Sequence, residues 1–364
     1  MILDNVVPIT NQTFPFVSCF SSWLISMGKS ALPMDKLKIK HQNLYRQYMP
    51  VTGCGVVALW NENEPTIDTC YGTGGDNYLK WAMQYAGYEY EILDNDGTNR
   101  SEFIKEIKES IASSHPVMAQ GLIGTTWCLI TGYDDEVAAL YGWHQSNWGI
   151  CANPAAEHLN NGMFVKKSWY EAIKRIVICK GKSKEKLDAE EIISHLISVI
   201  ESKQEYDIKK GQVIHNADNI TVSNIFTGED AYRKCLDILS DDSVYENITE
   251  QHLQEVYKSV FFFCTTFAEA RVFTGSTIET SEFKKKIKAS DQVKWLLNQA
   301  ALPLRDSHKT VYEIWAVLGE NYNFEPEKYV TRIKDKDVRK QLITLVNRLK
   351  KNDNEALKFF KQCR

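Results

Sequence analysis

The sequence lacks most of the features that announce a specialised protein. Its nine cysteines, at 19, 54, 70, 128, 151, 179, 235, 264 and 363, are odd in number and form no CxxC pair. That pattern argues against a disulfide framework or a cysteine-based zinc site and suits a reducing compartment, the cytoplasm. The eight histidines form no HxxxH or HxH pair, so no metal site is readable. No run approaches the roughly 18 apolar residues of a membrane span. The opening stretch MILDNVVPITNQTFPF has neither the basic start nor the continuous apolar core of a secretory signal. Charge of one sign is missing too: 43 basic against 47 acidic side chains leave a net charge of −4, no footprint for nucleic acid or an anionic membrane. The glycine-rich loop CYGTGGDN, residues 70–77, has neither the Lys–Ser/Thr of a phosphate-binding loop nor dinucleotide spacing, so it reads as a tight turn and implies no cofactor.

What is present is a globular composition, 43% hydrophobic and 25% charged, over 364 residues, a length that suits two domains. The halves differ in kind. Residues 1–182 hold 15 of the 19 glycines and 7 of the 9 tryptophans but only 33 of the 90 charged residues. Glycine-rich, charge-poor sequence suits a sheet with short turns, and charge-rich, glycine-poor sequence suits amphipathic helices. The boundary is expected in KGKSKEKLD, residues 180–188, giving a domain over 1–182 and an all-helical domain over 188–364.

Within the first part, a helix is expected to open at Ser18 or Cys19 and run to Met27. Strands are expected at 56–60, 89–93, 116–122, 127–133, 137–143 and 175–179, and helices at 76–86, 99–112 and 168–173. The strands at 127–133 and 137–143 read as a hairpin closed at Asp134–Asp135. The second part begins with a capping-box pattern, Asp188 and Glu191. Its clearest helix, 250–272, places Leu253, Val256, Tyr257, Val260, Phe261, Cys264, Phe267 and Ala268 on one face. Phe262 and Phe263 add more apolar surface than one face needs, as expected for a helix contacted on several sides. The KKKIK run at 284–288 reads as a solvated helix face.

Cys19 stands in FPFVSCFSSWLISMG, where a Pro-containing segment turns into a helix. A thiol at a helix start meets unpaired N–H groups and the positive end of the dipole, which favour the thiolate. The segment WCLITGYDDEVAALYGWH resembles the strand pair of peptidase-C39-like domains, in which a GYDD motif ends the first strand. Downstream, MFVKKSWYEAIKRIVICK is similar to the helix and last strand that close that domain. The resemblance covers most of residues 10–180 and extends to relatives of the butirosin-biosynthesis acyltransferase N-terminal domain, which carry a helical extension. It implies an α+β architecture: a papain-like, C39-like N-terminal domain followed by an all-α helical domain.

The resemblance also implies a cysteine nucleophile, a histidine base and an oxyanion glutamine, and here the chain departs from it. Counting six residues back from Gly132, where the family has its base, reaches Thr126, and six before Cys19, where it has its glutamine, reaches Thr13, with Gln12 one further away. His144 falls near the end of the second strand, where the family has an Asp or Asn. Two functions are left open. In one, the fold binds a small molecule without turning it over, in a cleft walled by Trp127, Trp143 and Trp148. In the other, a thiol-dependent acyltransferase or amidohydrolase acts on an acyl substrate, with Cys19 as nucleophile, His144 as base and acid, and Gln12 or backbone N–H groups at the oxyanion.

Overall fold

The computed structural model describes residues 1–3, 6–9, 14–28, 33–61, 75–123, 127–144, 156–159, 161–185, 187–201, 213–216, 219–222, 225–319 and 326–364. The chain forms two compact units. Met1–Tyr48, Leu79–Lys186 and His215–Ile220 make the first, and Met49–Tyr78, Leu187–Ile214 and Thr221–Arg364 the second. This differs from the division expected from composition, because Met49–Tyr78 lies in the second unit. A composition average along the chain cannot register a segment that packs with residues far away in sequence.

The first unit is α+β. Its helices are α1 (Pro15–Met27), α2 (Met34–Thr52, whose last residues count with the second unit), α3 (Gly75–Ala86, whose first four residues count with the second unit), α4 (Arg100–Ala112) and the single turn α5 (Trp169–Ala172). The strands β2 (Tyr88–Asp94), β3 (Val117–Gln120), β4 (Trp127–Asp134), β5 (Ala139–His144), β6 (Glu157–His158), β7 (Phe164–Lys166) and β8 (Arg175–Lys182) form one sheet in the order β2-β8-β3-β4-β5-β7-β6, antiparallel at every pairing. The hairpin β4–β5 turns where Asp134 Oδ1 accepts the N–H groups of Glu136 and Val137, and Ala138 takes a left-handed φ of 48°.

Side-chain alternation gives this sheet two apolar faces. Val117, Ala119, Cys128, Ile130, Ile176 and Ile178 share one cluster with Phe103, Ile107 and Ile111, the buried stripe of α4. On the other face Phe16 of α1 meets Trp127 edge-on, with ring centroids 5.3 Å apart. The register of β4 shifts between Ile130 and Gly132. Just past the end of β3, Met1–Leu3 runs along β4: Leu3 N–H donates to Thr131 O, and Tyr133 N–H to Met1 O. The glycine of the GYDD motif is needed there, since a Cβ on Gly132 would lie 2.6 Å from Met1 O.

Two features of this unit escape the sequence reading. Helix α2 was not anticipated, although Leu37, His41, Tyr45 and Tyr48 are buried at helical spacing; lysines at 36, 38 and 40 and an internal Pro50 dilute the pattern. Helix α1 begins at Pro15, its first helical residue, rather than at Ser18 or Cys19.

The second unit is mainly helical: α6 (Ala189–Ile200), α7 (Gly228–Ser240), α8 (Glu250–Ile278), α9 (Ser281–Lys286), α10 (Asp291–Leu318), α11 (Pro326–Tyr329) and α12 (Lys336–Gln362). The capping box at α6 forms, with Asp188 Oδ1 accepting Glu191 N–H and Glu191 Oε2 accepting Asp188 N–H. Helix α8 is buried on several sides, Phe261, Phe262 and Phe263 included, and shares one cluster with α7, α10 and α12. Two expectations need correction. Residues 188–364 are not all-helical, because β9 (Val213–Asn216) pairs with β10 (Asn219–Val222), and β11 (Ile225–Thr227) pairs antiparallel with β1 (Leu59–Asn61). Nor is the whole KKKIK run solvated: Lys284 is buried and its Nζ donates to Glu279 O and Asn298 Oδ1. Among the described residues no helix is long and apolar enough to cross a membrane.

The segment leading into β1 is held by one guanidinium. Arg271 of α8, fully buried, donates to Gly55 O at 3.0 Å and Val57 O at 3.1 Å, and pairs with both carboxylate oxygens of Asp353 at 2.8 and 2.7 Å. Tyr232 OH completes the group by donating to Asp353 Oδ2 at 2.7 Å. The backbone approaches α8 so closely that a Cβ on Gly55 would fall 1.6 Å from Thr274 Oγ1.

His195 of α6 gives this unit a pH dependence. Burial pushes its pKa down to about 4, against a smaller upward pull from a hydrogen bond to the Thr52 backbone. The folded ring stays neutral to about pH 4, whereas an unfolded histidine protonates near 6.5, so between these values the unfolded chain binds more protons. The contribution is complete above about pH 6.5 and is lost as pH falls toward 4. Lowering the pH from 7 to 5 should remove about 2 kcal/mol of stability in urea titrations. His195→Gln should flatten that slope, and an unchanged slope would show that His195 is not its source.

Candidate functional site

Cys19 occupies the sheet-facing side of α1, between Phe16 one turn before it and Trp23, whose Nε1 donates to Pro116 O at 3.0 Å. Because the helix starts at Pro15, Cys19 lies a turn inside it. Ser18 N–H already donates to Phe14 O, so the free amides of a helix start are not at the thiol. Cys19 is fully buried, and burial first, then the electrostatic effect of Cys128 across the sheet, raise its pKa well above that of an ordinary cysteine. Desolvation wins over the dipole effect expected from sequence.

His144 is placed elsewhere. In the β4–β5 register it stands opposite Cys128, so both project from the face that α4 covers, whereas α1 lies on the Trp127 face. The sheet therefore stands between His144 and the helix that carries Cys19. The His144 ring lies 6.0 Å from Phe164, and its Nε2 is 2.8 Å from Nε2 of His158 on the edge strand β6. One of these two nitrogens must carry the proton and the other accept it. A base for Cys19 is thus not assembled from His144.

No family model matches this chain, and no curated protein does.

Of the remaining expected residues, Gln12 and Trp148 lie outside the described residues. Trp127 is buried and packs against Phe16. Trp143 is half-buried and stands opposite Leu129, on the α1 side of the sheet. Two histidines that sequence inspection left among the scattered ones prove to be positioned. His158 partners His144, and His41, fully buried on α2, donates from Nε2 to Ser18 O at 2.9 Å. Burial lowers the pKa of His41, so its ring is held neutral beside the cysteine-bearing helix. The one sequence signal for His41 was its place in the buried spacing of α2. Among the described residues no group of three or more His, Cys, Asp or Glu side chains gathers to hold a metal ion.

Proposed function

We propose that this protein is a small-molecule-binding protein whose first unit is a C39-like, papain-like scaffold without hydrolytic chemistry. One observation carries the reading: Cys19 is fully buried with its thiol pKa raised, in the position where an enzyme of that kind needs an exposed, ionised sulfur. The papain-like assignment is supported by a cysteine-bearing helix packed on an antiparallel sheet, and by a GYDD strand whose glycine is required by close backbone contact. A cytoplasmic setting is in keeping with the cysteines, since all seven among the described residues are free thiols.

The test is alkylation of Cys19 by iodoacetamide, followed by peptide mass mapping from roughly pH 6 to 9, a range that spans the free-thiol pKa of about 8.5. The expected result is no modification in the native protein and full modification after unfolding. Native alkylation that titrates below the free-thiol value would overturn this reading and favour the thiol-dependent acyltransferase or amidohydrolase instead.

A further inference from the structure

At the edge of the first unit's sheet, two imidazoles meet head-on. Phe164 of β7 pairs with Gly142 of β5 on one side and with His158 of β6 on the other. A Cβ on Gly142 would fall 2.7 Å from Cζ of Phe164, so the glycine lets that ring lean over β5. Through the gap so left, His158 reaches His144, which stands two residues beyond Gly142 on the same face of β5. The ring centroids lie 5.1 Å apart with Nε2 to Nε2 at 2.8 Å, so the centroid separation is the contact plus one ring radius on each side. The two nitrogens point at each other.

A contact of this shape holds one proton and excludes a second. When both rings are neutral, or only one is charged, one Nε2–H donates to the lone pair of the other. When both are charged, each Nε2 carries a hydrogen, the acceptor is gone and like charges face each other. His144 is 5% exposed and cannot keep a charge there without a counter-ion, whereas His158 is exposed. Among the described residues, the titratable groups of the surrounding elements supply none. Cys128, opposite His144 on β4, is held as the neutral thiol by burial, and Lys166 of β7 can offer no negative charge. Glu157 alternates to the other face of β6 and pairs with Lys167 at 3.3 Å. On α4, Glu106 is engaged by Lys180, and Glu102 and Glu109 are exposed.

The strand carrying His158 is short. β6 has two residues, stands at the end of the sheet beside β7, and is followed by a turn in which Leu159 N–H donates to Met163 O. We infer that the His144–His158 contact is a proton-operated latch on this edge, holding β6 to the sheet while one proton lies between the rings and releasing it when both rings are protonated. Release uncovers Phe164, fully buried in the closed form, and the outer edge of β7. The open form takes up at least one more proton than the closed form. Opening is therefore favoured as pH falls below about 6.5, the ordinary value for an exposed histidine, by about tenfold or more for each pH unit. The latch does not rest on the binding function proposed above and does not involve Cys19.

The experiment is amide hydrogen exchange of the full chain from about pH 7.5 to 5, expressed as protection factors so that the intrinsic pH dependence of exchange is removed. Protection across residues 157–166 is expected to fall about tenfold or more for each pH unit below about 6.5, while β2 and β8 keep theirs. His158→Gln leaves a neutral donor and acceptor at the exposed edge but cannot be charged, so its protection there is expected to be independent of pH. Unchanged protection of residues 157–166 in the wild type, or the same loss in His158→Gln, would overturn the latch. So would a loss shared equally by β2 and β8, which would report unfolding of the whole unit.

Discussion

Arg271→Met, with Asp353 left in place, is expected to lower the unfolding free energy by about 3–5 kcal/mol, the usual penalty for leaving a buried charge without its partner. The guanidinium is fully buried, and its donors serve the Asp353 carboxylate and the carbonyls of Gly55 and Val57 together. Removing it strands an anion and two carbonyl oxygens, none of which water can easily reach. The double variant Arg271→Met with Asp353→Leu should recover only part of the loss, since the carbonyls stay unsatisfied and Tyr232 loses its acceptor. Urea midpoints for the single and double variants measure both quantities. A loss below about 1 kcal/mol in Arg271→Met would mean that solvent compensates the group and that it is not a keystone of this unit.

A fragment of residues 187–364 is expected not to fold cooperatively, although it contains every long helix of the second unit. It lacks Met49–Asn61, and with it the buried side chains of Val51, Val56, Val57, Leu59 and Trp60 and the partner strand of β11. Trp60 alone packs edge-on against Phe263, with ring centroids 5.7 Å apart. At about 1.5–3 kcal/mol for each large apolar side chain, the missing burial is on the scale of a whole domain's stability, about 5–15 kcal/mol. Fusing residues 49–61 to the fragment should restore a sigmoidal urea transition. A cooperative transition in the unfused fragment would contradict the assignment of this segment to the helical unit.

Much of the fold was legible because local signals and burial agree. The hairpin of β4 and β5 has a continuous apolar first strand and an Asp at its turn, α6 has its capping pair, and α8 has an apolar face that burial then extends to the whole Phe261–Phe263 run. Other elements were too short or too dilute to carry a pattern. β6 has two residues and β7 three, and α2 alternates lysines with the residues it buries. The start of α1 was misplaced by passing over Pro15, which sits comfortably at a first helical position. That error bears directly on the candidate site, because it moved Cys19 from the interior of the helix to its charged end. The pairing of His144 with His158 could not be read from spacing, since it depends on how β5, β7 and β6 lie side by side.

The pairing of β1 with β11 sets a timetable for synthesis. Leu59, Trp60 and Asn61 leave the ribosome long before Thr227, Phe226 and Ile225, their partners, and before α8 brings Arg271 to Gly55 and Val57. At translation rates of about 5–20 residues per second, the wait is on the order of ten seconds, far longer than a strand or hairpin takes to form. Throughout it GVVALW is an apolar stretch without its native cover, a natural substrate for a holding chaperone and the point at which a stalled nascent chain would begin to aggregate.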